Sequence, residues 1–413
     1  MQKVFFRFFA SYFLIYTLPF PGGQIPFTHT ISGWYTSFCN LLISFTGKYF
    51  FKINFPLHPA NNGSGDATYN YVWLVLCVVL TIIAAVVWSV ADRKRKNYNL
   101  LLYWLITYLR YYLGLTMIKY GFYKTIKTQF AFPYYALNET YGDSSPMRLM
   151  WAFMGYSTAF NMFIGLVEIT GGLLLLFRKS TTLGALVTIT ALSNVVMMDL
   201  CFDVPVKLHA MNLLLLAIFI TAPDAKRLID FFLRNKAVPA IKNQPEFAKY
   251  WMNAALETVK FAIATYIIYA IIIQMRHQYS VSGDGSFKET PLFGIYTVKK
   301  FIENNDTSKS VIADTIQWKT LNIFFPKKAS IETMNDSVRM YSFTADTLSK
   351  KIQFNAANYK SSFSYFKPDS THLILNGKIK DDSVYILLEK QDMNKFLLLN
   401  RKFHWINESP YNR

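Results

Sequence analysis

Residues 151–177 read WAFMGYSTAFNMFIGLVEITGGLLLLF, an apolar stretch long enough to cross a bilayer as a helix. Its one carboxylate is Glu168. An ionisable group near the middle of a membrane costs roughly 2.5–3.5 kcal/mol on insertion scales, so it normally faces a partner or a cavity. Another such stretch, NLLLYWLITYLRYYLGLTMIKYG at 99–121, carries Arg110 near its middle. The two opposite charges predict a site between two membrane helices.

The composition also indicates a membrane protein. Hydrophobic residues make up 52% of the chain and charged residues 16%, and aromatic residues reach 17%. This mixture is typical of lipid-facing and interfacial surfaces and excludes a single soluble domain. The net charge of +18 lies in short clusters that flank apolar stretches, which disfavours nucleic acid as a partner. Three cysteines without a CxxC motif disfavour a disulfide framework, a zinc ribbon and a thiol-redox pair.

Seven segments have the length that a membrane-spanning helix needs. The first could also be read as a signal peptide, but it lacks a small-residue cleavage site and is aromatic throughout, which favours an uncleaved span. The predicted spans lie at about 4–20, 71–91, 98–120, 151–177, 181–202, 207–222 and 259–275.

The distribution of Lys and Arg predicts the orientation of these spans. With a cytoplasmic N-terminus, the inner segments hold fifteen basic residues and the outer connections hold six. The chain is therefore predicted to lie in a bacterial inner membrane, with everything after Arg276 in the periplasm.

The C-terminal segment has a different pattern. After residue 280 short alternating segments such as THLILNG and SVYILLEK are separated by turn sequences such as PDS and DDS. Period-two alternation between tight turns predicts about eight antiparallel strands. We expect a lipocalin-like or related meander barrel, with a flattened sandwich as the alternative. Aromatic side chains of this segment could line a pocket, although barrel core is the commoner role: Trp318, Tyr341, Phe366 and His404.

The predicted organisation has four parts. Residues 1–97 form two N-terminal spans with an outer loop, and residues 98–232 form a four-helix membrane domain. Residues 233–280 supply a cytoplasmic segment and the last span. Residues 281–413 form the extracytoplasmic β domain.

Charged residues and glycines share one face of the helix that carries Arg110. Gly114, Gly121 and Lys124 follow Arg110 at offsets of 4, 11 and 14 residues, which places all four on one narrow stripe. Glycine allows a second helix to approach closely, so this stripe is predicted to face the bundle interior. The next span has a similar stripe, formed by Gly165, Glu168 and Gly172.

The two charges are predicted to lie at similar depths, given the helical rise of about 1.5 Å per residue. Arg110 lies about 21 Å from the basic boundary at Lys96, and Glu168 lies about 15 Å from that at Arg178. This predicts a direct or water-bridged pair. Three outcomes are open: an ion pair that fixes helix packing, a pair that lines a ligand cavity, or no contact between the two charges.

Further polar residues gather at the outer end of the same four spans. They predict a charged mouth above the level of Arg110 and Glu168, with an interfacial cluster of salt bridges as the alternative. His209 has no neighbour at a recognisable metal-ligand spacing, so no metal site is predicted. The residues of this mouth are Lys124, Lys127, Asp199, Asp203, Lys207 and His209.

At these positions the chain resembles the DoxX family of four-helix membrane proteins. The resemblance rests on LRYYLGLTMIKYGFYKTIKTQF followed by GLVEITGGLLLLFRKSTTLGAL and covers about residues 98–232. It implies membrane redox chemistry with a soluble or membrane oxidoreductase partner, and it places Arg110, Lys124 and Glu168 at the family's characteristic polar positions. The two earlier spans, the last span and the β domain are additions to the family's minimal form.

Two functions are therefore expected. In the first, a lipophilic molecule such as a quinone binds in the helix bundle. Arg110 and Lys124 polarise a carbonyl oxygen and Glu168 transfers a proton, as quinone reduction requires. Asp199, Asp203, Lys207 and His209 are further candidate ligand contacts. In the second function, the helices anchor a non-catalytic assembly, transport or envelope component, and the β domain recognises the ligand.

Overall fold

The computed structural model divides the chain into two compact units. The helical unit comprises Met1–Thr125 and Ala159–Met275, and the barrel unit comprises Ile126–Thr158 and Arg276–Arg413. The structure describes residues 2–18, 29–59, 63–238, 250–282, 290–304, 317–325, 327–356, 359–379, 382–401, 404–405 and 408.

The helices, in chain order, are α1 (Gln2–Thr17), α2 (His29–Tyr49), α3 (Thr68–Ala91), α4 (Asn99–Thr125), α5 (Pro146–Tyr156), α6 (Thr158–Leu176), α7 (Thr181–Cys201), α8 (Lys207–Thr221), α9 (Ala225–Phe232), α10 (Tyr250–Ser282) and the short α11 (Leu397–Asn400). Within the described residues, five helical stretches are long and apolar enough to cross a membrane. These stretches are Thr68–Ala91, Thr158–Leu176, Arg178–Cys201, Lys207–Phe232 and Thr258–Val281. The helical part is thus consistent with a membrane protein.

Contacts between helix termini show which helix ends lie together in the helical unit. At one end, called here the basic end, Lys3 at the start of α1 donates to the Arg95 carbonyl just after α3. Arg7 donates to the Tyr98 hydroxyl and to the Asp92 carbonyl. The start of α1, the end of α3 and the start of α4 therefore lie together, so α1 and α4 run in the same direction and α3 runs opposite.

Two sequence expectations about the helices were wrong in detail. The predicted outer loop between the first two spans contains α2, which was missed because its many Ser, Thr and Gly residues lower its mean hydropathy. The single span predicted at 151–177 is interrupted at Ser157, whose backbone is extended, so Glu168 lies on the shorter α6. Hydrophobic composition alone could not locate this break, because apolar residues continue on both sides.

The described strands of the barrel unit close into an antiparallel barrel in which each strand pairs with its neighbour in sequence and β8 returns to β1. The strands are β1 (Gly294–Glu303), β2 (Trp318–Phe325), β3 (Lys328–Thr333), β4 (Val338–Asp346), β5 (Lys351–Ala356), β6 (Tyr359–Phe366), β7 (His372–Ile379) and β8 (Asp382–Lys390). The predicted eight-stranded meander barrel is confirmed, and the flattened sandwich is excluded. Closure leaves no free sheet edge.

The barrel interior is filled by side chains that alternate inward along the strands. Phe343, Phe354 and Phe363 are almost completely buried and pack with Trp318. Of the predicted pocket candidates, Trp318 and Tyr341 belong to this core, whereas Phe366 and His404 are exposed. These four residues therefore do not form a common pocket.

The connection between α4 and α6 belongs to the barrel unit. Tyr134 stacks on Phe324 of β2 at 5.7 Å between ring centroids and meets Phe293 edge-on at 5.1 Å. Lys127 is buried and donates to the Gly155 carbonyl at 3.0 Å. Residues 126–158, which the sequence placed inside the four-helix domain, thus pack with the C-terminal segment.

Candidate functional site

Glycines bring the backbones of α4 and α6 into direct contact. Gly114 lies against Gly172 and Gly121 against Gly165. A Cβ atom on Gly121 would lie 2.5 Å from the Gly165 carbonyl oxygen, and one on Gly114 would lie 2.9 Å from that of Gly172. Both are shorter than any normal contact, so only glycine permits this approach. The predicted glycine stripes are confirmed as the interface between the two helices.

Next to this interface, Lys124 of α4 and Glu168 of α6 form a buried ion pair. The Lys124 Nζ donates to both carboxylate oxygens, at 3.0 Å to Oε1 and 2.8 Å to Oε2. The side chains are only 8% and 6% exposed. The ammonium also lies 5.8 Å from the centre of the Tyr120 ring. Glu168 is therefore neutralised by one cation and sealed from solvent.

The predicted pair between Arg110 and Glu168 was wrong. Arg110 is buried, but its Nη1 donates to the Thr181 hydroxyl at 3.0 Å, at the start of α7 and near the basic end. The glycine contacts place Glu168 opposite Ile118, which is about 12 Å along α4 from Arg110 and about 9 Å from Lys124. Depth counted from the basic boundaries missed this, because α6 ends level with Arg110 and not level with the start of α4.

The direction in which helical side chains tilt explains why Lys124, and not Arg110, pairs with Glu168. Side chains tilt toward the N-terminus of their own helix. Because α4 and α6 are antiparallel, the Lys124 and Glu168 side chains tilt toward each other, whereas that of Arg110 tilts away from Glu168. Lys124 therefore reaches the carboxylate, and Arg110 reaches α7.

A cavity of about 520 Å³ lies in the helical unit at the end opposite the basic end. It is formed between the end of α1, the start of α3, the second half of α4 and the start of α8. Its volume is in the range of small-molecule sites, and its wall combines four Tyr and Trp side chains with polar, aliphatic and glycine residues. Among its lining residues are Tyr16, Trp73, Tyr112, Tyr120, His209 and Asn212, together with the loop residues Gly63, Ser64 and Gly65.

Several polar groups converge on this cavity. The His209 Nδ1 lies 3.3 Å from the Tyr16 hydroxyl, and the His209 ring lies 6.0 Å from that of Tyr120. The Asn212 amide donates to the Leu208 carbonyl at 2.7 Å and accepts from the Tyr12 hydroxyl. The buried Oδ1 of Asn70 accepts no hydrogen bond from the described residues. The cavity wall thus carries an imidazole and tyrosine hydroxyls, which can donate or accept hydrogen bonds.

The loop wall of the cavity is held in place by Asp66. Its carboxylate accepts from the backbone amides of Lys207 and Leu208, at 2.9 and 3.0 Å, and thereby caps the start of α8. The Gly65 amide donates to the Pro205 carbonyl at 2.7 Å. These bonds fix the loop against α8 on one side of the cavity.

The predicted charged mouth is only partly assembled. The Lys207 Nζ bonds the exposed Asp203 at 2.8 Å and lies 3.8 Å from Asp66. Asp199 is 4% exposed, and its buried Oδ2 accepts no hydrogen bond from the described residues. Of the six predicted mouth residues, His209 lines the cavity. Lys124 is instead buried in its ion pair with Glu168.

The residues that sequence reasoning missed are mainly aromatic. Tyr16, Tyr112 and Tyr120 line the cavity, as does Trp73, and Asp66 holds its wall. Because tyrosine is frequent throughout this chain, the sequence did not distinguish the tyrosines that line the cavity from the others. Asp66 carried a signal, since it is an acidic residue just before an apolar span, but its partner lies about 140 residues away in the sequence.

The arrangement suits binding of a flat molecule with hydrogen-bonding groups. The Tyr and Trp side chains of the wall can stack on rings, while His209 and the tyrosine hydroxyls supply hydrogen-bond donors and acceptors. No group of three or more His, Cys, Asp or Glu residues that could hold a metal ion is found in the described part of the chain.

Comparisons with known proteins identify no family. No family profile matches the chain, and no solved structure matches it. The chain is similar to the uncharacterized protein YwoB of Bacillus subtilis (strain 168), with 27% identity over 123 residues. The aligned region covers 30% of this chain and 79% of YwoB. The DoxX resemblance and the activity that it implies therefore stay predictions.

Proposed function

We propose that the helical unit is a membrane-embedded binding site for a lipophilic small molecule of the quinone class and supports redox chemistry with a partner protein. The observation that carries this proposal is the cavity of about 520 Å³, whose lining includes Tyr16, Trp73, Tyr112 and Tyr120 together with His209. Two of the helices that form it, α3 and α8, belong to stretches with the length and composition of membrane spans.

The ligand contacts are assigned to the cavity instead of to the predicted Arg110 and Glu168. A quinone ring would stack against Trp73 or Tyr120, and a carbonyl oxygen would accept from a tyrosine hydroxyl or from His209. Reduction places negative charge on the quinone oxygens, which these donors stabilise. The sequence has no CxxC, haem-attachment or GxGxxG motif, so the electrons would come from an oxidoreductase partner.

In this proposal Lys124 and Glu168 act as positioning residues. Their ion pair is sealed and fixes α4 against α6. Tyr120 links the pair to the cavity, because its ring contacts the Lys124 ammonium and also lines the cavity wall. A change in the pair would therefore move a cavity residue without touching the ligand.

The same proposal places the protein in a bacterial inner membrane with a cytoplasmic N-terminus and a periplasmic barrel. The excess of basic residues on one side supports this orientation. A second observation concerns which segments share a side, while the choice of side rests on the basic residues alone: the connection between α4 and α6 packs with the barrel through Tyr134. That connection and the segment after α10 must then lie on the same side of the membrane, as the predicted orientation requires.

A test uses Trp73 as the reporter. The full-length protein in lipid nanodiscs is titrated with a short-chain quinone such as decylubiquinone, and tryptophan fluorescence is followed. We expect a saturable quenching component that is absent from Trp73→Phe and retained in Trp88→Phe, a matched change near the basic end of the same helix. His209→Phe should raise the half-saturation concentration by about tenfold, which corresponds to one lost hydrogen bond of about 1.4 kcal/mol.

Two results would contradict the proposal. Quenching that rises linearly with quinone and is equal in both tryptophan variants would reflect partition into lipid only. Saturation that His209→Phe leaves unchanged would place the quinone elsewhere. Either result would favour the alternative function, in which the helices anchor an assembly or binding component.

A further inference from the structure

Asp199, near the end of α7, is a buried carboxyl group to which the proposed function assigns no role. It is 4% exposed and lies on the face of α7 that is turned toward the bundle. Its Oδ2 accepts no hydrogen bond from the described residues. An unpaired charge is costly in such surroundings, and a buried carboxyl group commonly takes up a proton instead.

The packing of the helices shows what Asp199 lies beside. Helices α6 and α7 are antiparallel, and a Cβ atom on Gly171 of α6 would lie 2.8 Å from the Thr188 hydroxyl oxygen of α7. Counting equal numbers of residues from this contact along both helices places Asp199 level with the first turn of α6. The glycine interface between α4 and α6 places Lys124 within about one turn of that level. Asp199 and the buried ion pair therefore belong to the same region of the bundle.

The charges around Asp199 already have an excess of carboxylates. The charged side chains that interact electrostatically with Asp199 come from α4, from the start of α8 and from the loop before α3, and they are Lys124, Lys207 and Asp66. Each lysine has a carboxylate of its own, since Lys124 pairs with Glu168 and Lys207 with Asp203. Two cations thus face three carboxylates before Asp199 is counted. An ionised Asp199 would add a second uncompensated negative charge, so this balance favours its neutral, protonated form.

Asp199 also lies close to the wall of the cavity. The Val204 amide donates to the Asp199 carbonyl at 3.0 Å, and Val206 and Leu208, which follow in the chain, line the cavity. Tyr120 lines the cavity as well and interacts electrostatically with the Asp199 carboxyl group. A proton held by Asp199 is therefore close to a ligand in the cavity.

We infer that Asp199 is a proton-binding site of the helical unit, which is protonated in the resting protein and supplies its proton to a reduced ligand in the cavity. The supply step rests on the proposed function. When a quinone takes up two electrons from the oxidoreductase partner, both of its oxygens become negative. Asp199 gives its O–H proton to one oxygen and becomes a carboxylate, and the other oxygen takes a proton from water. Asp199 regains a proton from water after the quinol leaves.

Infrared spectroscopy of the full-length protein in lipid nanodiscs tests the site without quinone. A protonated carboxyl group has a C=O stretching band that an ionised carboxylate lacks. At neutral pH we expect the wild type to show such a band, which ¹³C-labelling of aspartate shifts to lower wavenumber and Asp199→Asn removes. The matched control is Asp203→Asn, four residues later, because the Asp203 side chain is 84% exposed and ionised. This control should keep the band. Since an amide has nearly the shape of a neutral carboxyl group, Asp199→Asn should also keep the melting temperature of the wild type.

Proton transfer is followed in the same samples by electrochemical reduction of added decylubiquinone. We expect the Asp199 band to lose most of its intensity as the quinone is reduced and to recover on reoxidation. Absence of the band from the quinone-free wild type, or its persistence in Asp199→Asn, would overturn the proton-binding site. A band that reduction of bound quinone leaves unchanged would overturn the supply of its proton. If the fluorescence titration shows no quinone binding while the Asp199 band is present, the proposed function fails and the proton-binding site stands.

Discussion

The buried ion pair gives the sharpest prediction for the helical unit. Glu168→Gln leaves the Lys124 ammonium buried without its carboxylate, and removal of one partner of a buried pair typically costs about 3–5 kcal/mol. The magnitude should lie in this range because Glu168 receives two short hydrogen bonds from one donor and both side chains are under 10% exposed. Lys124→Met should cost a similar amount, since it leaves the carboxylate unpaired.

The double variant separates the pair from its two members. Lys124→Met combined with Glu168→Met removes both charges and should recover most of the loss, to within about 1–2 kcal/mol of the wild type. A matched control is Lys119→Met, because Lys119 lies on the same helix but contacts the ring of Tyr123. This change should have less than half the effect of Lys124→Met.

Thermal unfolding can be followed with a dye that becomes fluorescent on reaction with thiols. Cys77 is completely buried in the helical unit and reacts after unfolding, and Cys201→Ser removes the exposed thiol. A loss of 3–5 kcal/mol corresponds to a fall in melting temperature of at least about 6 °C. The reasoning is refuted if Glu168→Gln melts with the wild type, or if the double variant loses as much as the two single variants added together.

Three further predictions address packing, capping and the barrel. Gly121→Ala should cost about 1–3 kcal/mol in the same melting assay, because its Cβ meets a backbone carbonyl, whereas Gly142→Ala, with open space around it, should be neutral. Asp66→Ala should cost about 1–2 kcal/mol by uncapping α8, while equal stability of this variant would show that water replaces the cap. Hydrogen bonds from Thr371 and His372 lower the pKa of Asp369, so its contribution to barrel stability is present above about pH 4 and is lost as pH falls through the lowered pKa. Asp369→Asn should therefore remove part of the acid sensitivity of the barrel, measured as cleavage of the full-length protein by pepsin between pH 4 and pH 2, and an unchanged profile would contradict this assignment.

The spacing of residues predicted the glycine interface but not the ion pair beside it. Gly114, Gly121, Gly165 and Gly172 were placed correctly because a helix repeats every 3.6 residues and small residues permit close approach. The partner of Glu168 depends on how far α6 is shifted along α4, and that shift is set by contacts between the helices. Helix α4 carries two basic residues that could pair with Glu168, Arg110 and Lys124. The level of each residue along the helix and the tilt of its side chain determine that Lys124 forms the pair.

The cavity could not be predicted, because its walls come from four helices and a loop that are far apart in the sequence. Tyr16, Trp73, Tyr120 and His209 are ordinary residues of apolar helices, and each has a common packing role. Their convergence follows from the antiparallel course of α1 and α3 and from the hydrogen bonds that join Asp66 to the start of α8. The sequence indicated His209 only through its place in a polar cluster.

The sequence by itself determined the class of structure: apolar segments of bilayer length, followed by alternating segments that form an eight-stranded antiparallel barrel. These features depend on the local period of the hydrophobic residues, which each helix or strand carries within itself. The tertiary structure alone decided which charges meet, where α2 lies, that residues 126–158 pack with the barrel, and where a ligand-sized cavity opens. Those features depend on the packing of segments that are distant in the chain. The hydrophobic pattern within each segment does not determine that packing.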